Sequence, residues 1–268
     1  LLAIRTLEGL LVTSILGVLS YRRKLVDESG VIAGVFVGTS VIAFGGWEMF
    51  ILLAIFHFVA GFFTHYKYEA KAAKGVAEFK GGARSWQNVL ANGLVPTLTA
   101  VAEYLHGGNT MTLAFVGAVG ASLSDTLSNE IGVLNPTPPR LITSLRRRVP
   151  PGYPGGVSPL GTFTAFAAPL SLGMVAYWLG VIPRSIPAAI SVGLAGAVGS
   201  LVDSLIGATL QGVYICSVCG KFTEKRYHCG KPARLHRGYE AVNNHVVNLL
   251  MSTTGAAAAI AIWGLLNF

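Results

Sequence analysis

The stretch Thr110-Met-Thr-Leu-Ala-Phe-Val-Gly-Ala-Val-Gly-Ala-Ser-Leu-Ser-Asp125-Thr-Leu-Ser-Asn-Glu130-Ile-Gly132 decides how the chain must fold. It carries no charge from 110 to 124, and its first acid arrives only after a length that nearly crosses the hydrocarbon core of a bilayer. Its glycines and alanines let helix backbones approach closely, which is how helices pack in lipid. The segment therefore reads as a membrane span over 110–127 with polar chemistry at its end. Similar runs recur at 1–20, 29–45, 47–64, 89–105, 159–182, 186–207 and 245–267. Composition agrees: 52% of residues are hydrophobic and only 12% charged, about half the charge of a soluble domain. These features exclude a disordered chain and an ordinary soluble enzyme. The expected fold is an all-α integral membrane protein of about eight transmembrane helices, a single polytopic domain over 1–268.

Basic residues set the topology. The connections 21–28, 65–88, 128–158 and 208–244 hold 18 of the 20 Lys and Arg, and the opposite connections hold only Arg184. With eight spans all four basic connections fall on one side, which the positive-inside bias makes cytoplasmic. The net charge of +8 thus reflects topology, not nucleic-acid binding, because the basic residues stand in short blocks between apolar runs. The expected location is a prokaryotic plasma membrane, and the reading leaves room for a homo-oligomer.

The chain has three aspartates, and two of them lie in an internal echo. Ser122-Leu123-Ser124-Asp125-Thr126-Leu127 matches Ser200-Leu201-Val202-Asp203-Ser204-Leu205, each after a small-residue run and at the cytoplasmic end of its span. Ionisable groups in a membrane are costly, so such acids mark function by default. The bland reading is a pair of carboxyls satisfied by neighbouring hydroxyls. On a continuing helix Asn129 shares a face with Asp125, and Glu130 is adjacent. Asp125, Asn129, Glu130 and Asp203 are oxygen donors of the kind Mg²⁺ takes beside substrate phosphates.

The connection that follows is rich in arginine, proline and glycine: Arg140-Leu-Ile-Thr143, Arg146-Arg147-Arg148, then Gly155-Gly156-Val157-Ser158-Pro-Leu-Gly161-Thr162. Glycines allow amides to point at an anion, a following helix N-terminus adds positive potential, and arginines offer bidentate contacts. A phosphate cradle beside a metal is the functional reading; a basic connector that only enforces topology is the bland one. Arg84, Asn88 and Asn92 form a polar stripe opening the fourth span, and Asn244 and Asn248 form another opening the eighth. Either stripe faces a polar cavity or serves as hydrogen-bonding glue between helices.

Asp125–Gly132, Arg140–Thr143 and the glycine segment through Gly161-Thr162 resemble the signature of the phytyl-phosphate kinase family, which includes the transmembrane protein 19 group. Lys80-Gly-Gly-Ala-Arg84-Ser-Trp86-Gln87-Asn88-Val-Leu-Ala-Asn92 resembles its second signature, and Asn243-Asn244 through Asn248 its third. The family is similar in turn to CTP-dependent polyprenol kinases, although those carry a lysine and a glutamate where this chain has Val157-Ser158-Pro159-Leu160. The resemblance implies transfer of the γ-phosphoryl of CTP to an isoprenoid monophosphate such as phytyl or geranylgeranyl phosphate. Asp125, Glu130, Asp203 and Arg140 would then be catalytic. Lys80, Arg84, Asn88, Asn92, Asn129, Thr143, the glycine loop with Ser158 and Thr162, and Asn244 and Asn248 would bind nucleotide. A phosphate acceptor needs little base catalysis, and the only mid-span histidine, His57, offers none.

The cysteines cluster as Cys216-Ser-Val-Cys219-Gly and His228-Cys229-Gly, with His236 nearby, all inside a cytoplasmic connection inserted at 208–244. The C-x-x-C-G turn is a zinc-knuckle element, so a structural Zn²⁺ is expected, with His228 or His236 as fourth ligand. Besides a scaffold or lipid-binding protein, the least specific option, three other functions stay open on sequence alone. They are a prenol kinase, a lipid-phosphate cytidylyltransferase and, from the paired acids, a secondary transporter.

Overall fold

The computed structural model describes residues 1–77 and 79–266, and of residues 79 and 80 the backbone alone. The apolar runs form α1 (Leu2–Arg22), α2 (Glu28–His65), α4 (Trp86–His106), α5 (Thr110–Gly132), α6 (Pro159–Leu179), α7 (Ile186–Thr209) and α8 (Asn244–Leu266). A short α3 (Tyr68–Ala73) and a 3₁₀ turn (Phe79–Gly82) lie in the connection between α2 and α4.

Asp27 starts α2, its Oδ1 accepting from the Gly30 amide at 3.0 Å. The helix then breaks at Gly46, whose φ of 83° belongs to glycine. Beyond it the chain doubles back: a Cβ at Gly38 would stand 3.2 Å from Phe50 Cε2, although twelve residues of straight helix span about 18 Å. The runs expected at 29–45 and 47–64 are the two antiparallel limbs of this hairpin.

Among the described residues six helices are long and apolar enough to cross a membrane: α1, α2, α5, α6, α7 and α8. The protein is therefore a mostly helical integral membrane protein. The run at 89–105, within α4, stands outside that group because Asn92, Pro96 and Glu103 dilute its hydrophobicity.

The connections depart from the all-α expectation. They fold into three small antiparallel sheets, which satisfy backbone groups that no helix pairs. One sheet has the order β2-β1-β3, from β1 (Arg140–Leu141), β2 (Ser144–Arg148) and β3 (Gly156–Val157). A second has the order β5-β4-β8, from β4 (Val213–Ile215), β5 (Phe222–Thr223) and β8 (Arg234–Arg237). The third pairs β6 (Tyr227–His228) with β7 (Lys231–Pro232).

α5 is the central helix, buried without a break from Thr112 to Leu127 and in contact with α2, α4, α6, α7 and α8. Its small residues explain that position. Gly117 lies against Gly255 of α8, and Ala121 meets Gly199 of α7, where a Cβ would come within 2.6 Å. Gly120, one residue earlier on α5, meets Gly196, about one turn earlier on α7, so the two helices run parallel in a register that brings 125 beside 203. α6 runs the other way: the Ser124 hydroxyl near the end of α5 donates to the Ala165 carbonyl near the start of α6 at 2.6 Å. One end of the bundle thus collects the C-terminal ends of α5 and α7, the N-terminal ends of α4, α6 and α8, and the long basic connections.

Candidate functional site

The parallel register sets the Asp125 and Asp203 carboxyls within hydrogen-bond reach of each other. Asp125 is buried and Asp203 half-buried, and the buried Oδ2 of Asp203 finds no hydrogen-bond partner among the described residues. Asn129 Nδ2 donates to Asp125 Oδ1 at 2.9 Å, so the i,i+4 pair expected from sequence is formed. Arg84 acts on Asp125 through its charge, and Glu224, from the Cys/His connection, acts on Asp203. Two carboxylates this close repel unless a proton or cation lies between them.

Both acids line a cavity of about 350 Å³ at the basic end of the bundle. Its opposite wall is the glycine segment. Gly155 (φ 76°) lies directly on α7, where a Cβ would stand 2.6 Å from the Ala208 nitrogen, and Gly156 follows it into β3. Ser158 caps α6: its Oγ accepts from the Gly161 amide and donates to the Gly132 carbonyl, each at 3.1 Å. Gly161 lets the first turn of α6 press on the end of α5, since a Cβ there would come 2.9 Å from the Ser128 carbonyl. Thr162, Asn244 and Asn248 complete this wall, so the helix starts of α6 and α8 both face the aspartates. Asn248 is 5% exposed, and its Oδ1 has no partner among the described residues. Unpaired buried oxygens on Asp203 and Asn248, beside a second carboxylate, form a donor set that fits a hard divalent cation such as Mg²⁺.

Several expected residues are held in other ways. Glu130 lines the cavity, but both its oxygens are engaged: Oε2 by Lys71 Nζ at 2.6 Å and Oε1 by the Thr64 hydroxyl at 2.9 Å. It ties α5 to α2 and α3, and both its oxygens are committed to those partners. Arg140, expected to be catalytic, opens β1, the middle strand of its sheet, and its exposed side chain donates to the Leu145 carbonyl at 2.7 Å. Thr143 sits in the turn of the same hairpin, exposed. Neither lines the cavity, because pairing β1 with β2 turns this segment outward. Asn88 and Asn92 face a separate apolar pocket among α1, α2 and α4, where Asn92 Nδ2 donates to the Asn88 carbonyl at 2.9 Å. Arg84 borders both spaces. The side chain of Lys80 lies outside the described residues.

Sequence reasoning passed over Glu224, Gln211 and Ser204, all on the cavity wall. Ser204 had a signal, since it belongs to the second copy of the repeat. Glu224 had none except its place between Cys219 and His228. Lys71 was counted only as a topological charge, yet it is 1% exposed.

In the 208–244 connection the donor atoms of Cys216, Cys219, His228 and Cys229 all lie within 4.8 Å of one another. His228 Nδ1 stands 3.2 Å from Cys229 Sγ and 3.6 Å from Cys219 Sγ. Adjacent residues can converge because Cys229 adopts φ 52°. The amides of Val218 and Cys219 donate to Cys216 Sγ at 3.4 and 3.5 Å. The Cys219 amide bond in particular pulls the Cys216 thiol down to about 6, as suits a metal thiolate. His236, the other expected ligand, stands outside this group and packs against the Phe222 ring, 5.3 Å between centroids. The four clustered donors fit a tetrahedral Zn²⁺.

Comparison with known proteins follows the same lines. Protein PGR of Arabidopsis thaliana is 30% identical, over 92% of this chain and 92% of its own length. An uncharacterized membrane protein of Methanocaldococcus jannaschii is 31% identical over 78% of this chain and 84% of its own. Protein VTE6, chloroplastic, of Arabidopsis thaliana is 29% identical over 87% of this chain and 64% of its own. No solved structure matches. The family described as integral membrane protein DUF92 matches residues 11–256, in agreement with the resemblance drawn from the motifs, and the chain belongs to that family.

Proposed function

We propose that the protein is a CTP-dependent kinase that phosphorylates a membrane isoprenoid monophosphate, with Mg²⁺ as cofactor. The observation that carries this reading is the aspartate pair facing two helix N-termini and Arg84 across one cavity. Phosphoryl transfer asks a protein mainly to position two phosphates and neutralise their charge, and this inventory does both. The motif resemblance and the similarity to VTE6 support the choice of an isoprenoid acceptor, and the motif resemblance alone suggests CTP.

In the reaction an oxygen of the acceptor monophosphate forms a bond to the γ-phosphorus of CTP. The bond from that phosphorus to the β–γ bridging oxygen breaks, and CDP leaves. Asp125, Asp203 and Asn248 would hold Mg²⁺, which supplies charge neutralisation on the transferred group. Asn129 orients Asp125. The amides around Gly155, Gly156 and Gly161, with Ser158 and Thr162, cradle the donor phosphates at the start of α6. Arg84, between the polar cavity and the apolar pocket, binds the acceptor phosphate. An acceptor that is already ionised needs no general base, and among the described residues no histidine lines the cavity.

The proposed topology has eight crossings, counting both limbs of α2 and α4, with the basic end and the cavity in the cytoplasm. The test is phosphate transfer from γ-labelled CTP to geranylgeranyl monophosphate by detergent-purified protein with Mg²⁺, with labelled ATP and the free alcohol in parallel. A labelled diphosphate is expected. Release of pyrophosphate with a CMP-lipid would make the protein a cytidylyltransferase, and ion-coupled uptake into proteoliposomes without nucleotide turnover would make it a transporter.

Structural zinc belongs to the same proposal. The Cys216, Cys219, His228 and Cys229 site would pin the two small sheets that carry Glu224 over the cavity. Elemental analysis of purified protein should find one zinc ion per chain, and Cys216→Ser should remove it. Zinc-free wild type that is stable to heating would remove this role.

A further inference from the structure

Beside the polar cavity lies a second, apolar pocket of about 130 Å³, walled by α1, both limbs of α2 and the start of α4. Its polar end is Arg84, which also borders the aspartate cavity. From Gly30, beside the Arg84 carbonyl, it runs to Gly38, about 12 Å along α2. We infer that this pocket holds the first isoprene units of the lipid acceptor, with the acceptor phosphate at Arg84. The inference rests on the kinase reading and adds where its lipid tail lies.

Glycines shape the pocket. Gly17 of α1 packs on Val31, where a Cβ would stand 3.0 Å from Cγ1, and Gly38 packs on Thr13 at 2.7 Å. These two contacts pin α1 against α2 above and below. Between them Gly34, on the same face of α2, has nothing within 4 Å of where its Cβ would be. The gap is therefore built by two close contacts that flank an open position. Away from Arg84 its lining is apolar apart from Thr13, the Ser20–His57 hydrogen bond of 2.9 Å and the asparagines of α4. Phe58, on the rim, is 39% exposed on the outer face of the bundle, which gives a tail access from the lipid.

Charge and polarity select the occupant. A cation opens onto the phosphate cavity at one end, and an uncharged groove leads away from it into the membrane. A phosphate headgroup joined to an unbranched or isoprenoid chain matches both halves, and a water-soluble phosphate matches only the first. An isoprenoid's methyl branches fit the irregular space left by glycines better than a packed helix face would.

The test has two arms on detergent-purified protein. Geranylgeranyl monophosphate carrying a diazirine in its tail is photolysed on wild type, and labelled peptides are mapped by mass spectrometry. Label is expected on residues 13–20, 30–38, 53–61 and 88–93. In the second arm, binding of tritiated geranylgeranyl and dimethylallyl monophosphates is measured on wild type and Gly34→Leu. The leucine should weaken the long lipid roughly tenfold or more and the short one by less than about twofold, because only the long tail reaches the filled gap. Wild type that binds neither monophosphate overturns the kinase reading itself. Wild type that binds both, with label on other helices or with Gly34→Leu equally tight for the two, overturns the groove and leaves the kinase standing. If Gly34→Leu does not fold, the photolabelling decides alone.

Discussion

Asp125→Asn is expected to lower kcat for phosphoryl transfer by roughly a thousandfold while leaving the fold intact, and Asp203→Asn should do the same. The substitution keeps the size of the side chain, so the close contacts of Gly120 with Gly196 and of Ala121 with Gly199 are undisturbed. What it removes is one negative charge from a pair that stands side by side. With one carboxylate gone, a divalent cation loses half of its protein-borne neutralisation, and the Mg²⁺ concentration for half-maximal rate should rise steeply. The double variant should be little worse than either single one, because groups that act on one ion lose their effect together. Asn129→Ala is a milder change: it only releases Asp125 Oδ1, and a loss of roughly 10- to 100-fold is expected. The measurements are steady-state transfer and a Mg²⁺ titration on each variant. Full activity in Asp125→Asn, with only a lower melting temperature, would reduce the pair to a structural contact between α5 and α7.

The features legible in the sequence were those that depend on one residue's neighbours along the chain. Apolar length gave the membrane class and the helix positions, and the small-residue runs before each aspartate foreshadowed the parallel packing of α5 on α7. Asn129 reached Asp125 because i,i+4 geometry is local. The glycine loop and Asn248 could be assigned to the site because they begin helices at the same end of the bundle. Misreadings arose where a partner came from far away in sequence. Glu130 read as a metal ligand because Asp125 is nearby in sequence, whereas Lys71, 59 residues earlier, claims it in space. Arg140 and Thr143 read as site residues because their segment follows the metal helix, but a β-hairpin directs them outward. His236 seemed open to the zinc cluster until the left-handed backbone at Cys229 turned His228 toward the thiols. Glu224 was invisible for the converse reason: only the folded 208–244 connection carries it over Asp203.

Lys71→Met should destabilise the protein by about 3–5 kcal/mol, the largest stability effect expected of any single substitution here. The lysine is 1% exposed, and its ammonium donates to the Phe63 and Thr64 carbonyls as well as to Glu130 Oε2. Glu130 is itself 11% exposed, with Arg84 only at 4.0 Å, so loss of Lys71 leaves a carboxylate largely uncompensated in a place that water reaches poorly. Thermal unfolding in detergent should fall by roughly 10 °C. The double variant Lys71→Met/Glu130→Leu should recover most of that loss, because apolar side chains of similar size replace a buried pair more cheaply than they replace one member. Glu130→Gln then separates two roles for this acid. If Glu130 held the catalytic metal, the variant would raise the Mg²⁺ requirement and leave the melting temperature alone. As the clamp between α5, α2 and α3 it should do the reverse, lowering the melting temperature while Mg²⁺ dependence stays with Asp125 and Asp203. Transfer rates and melting curves on the same preparation decide between them, and a raised Mg²⁺ requirement at unchanged stability would return Glu130 to the metal.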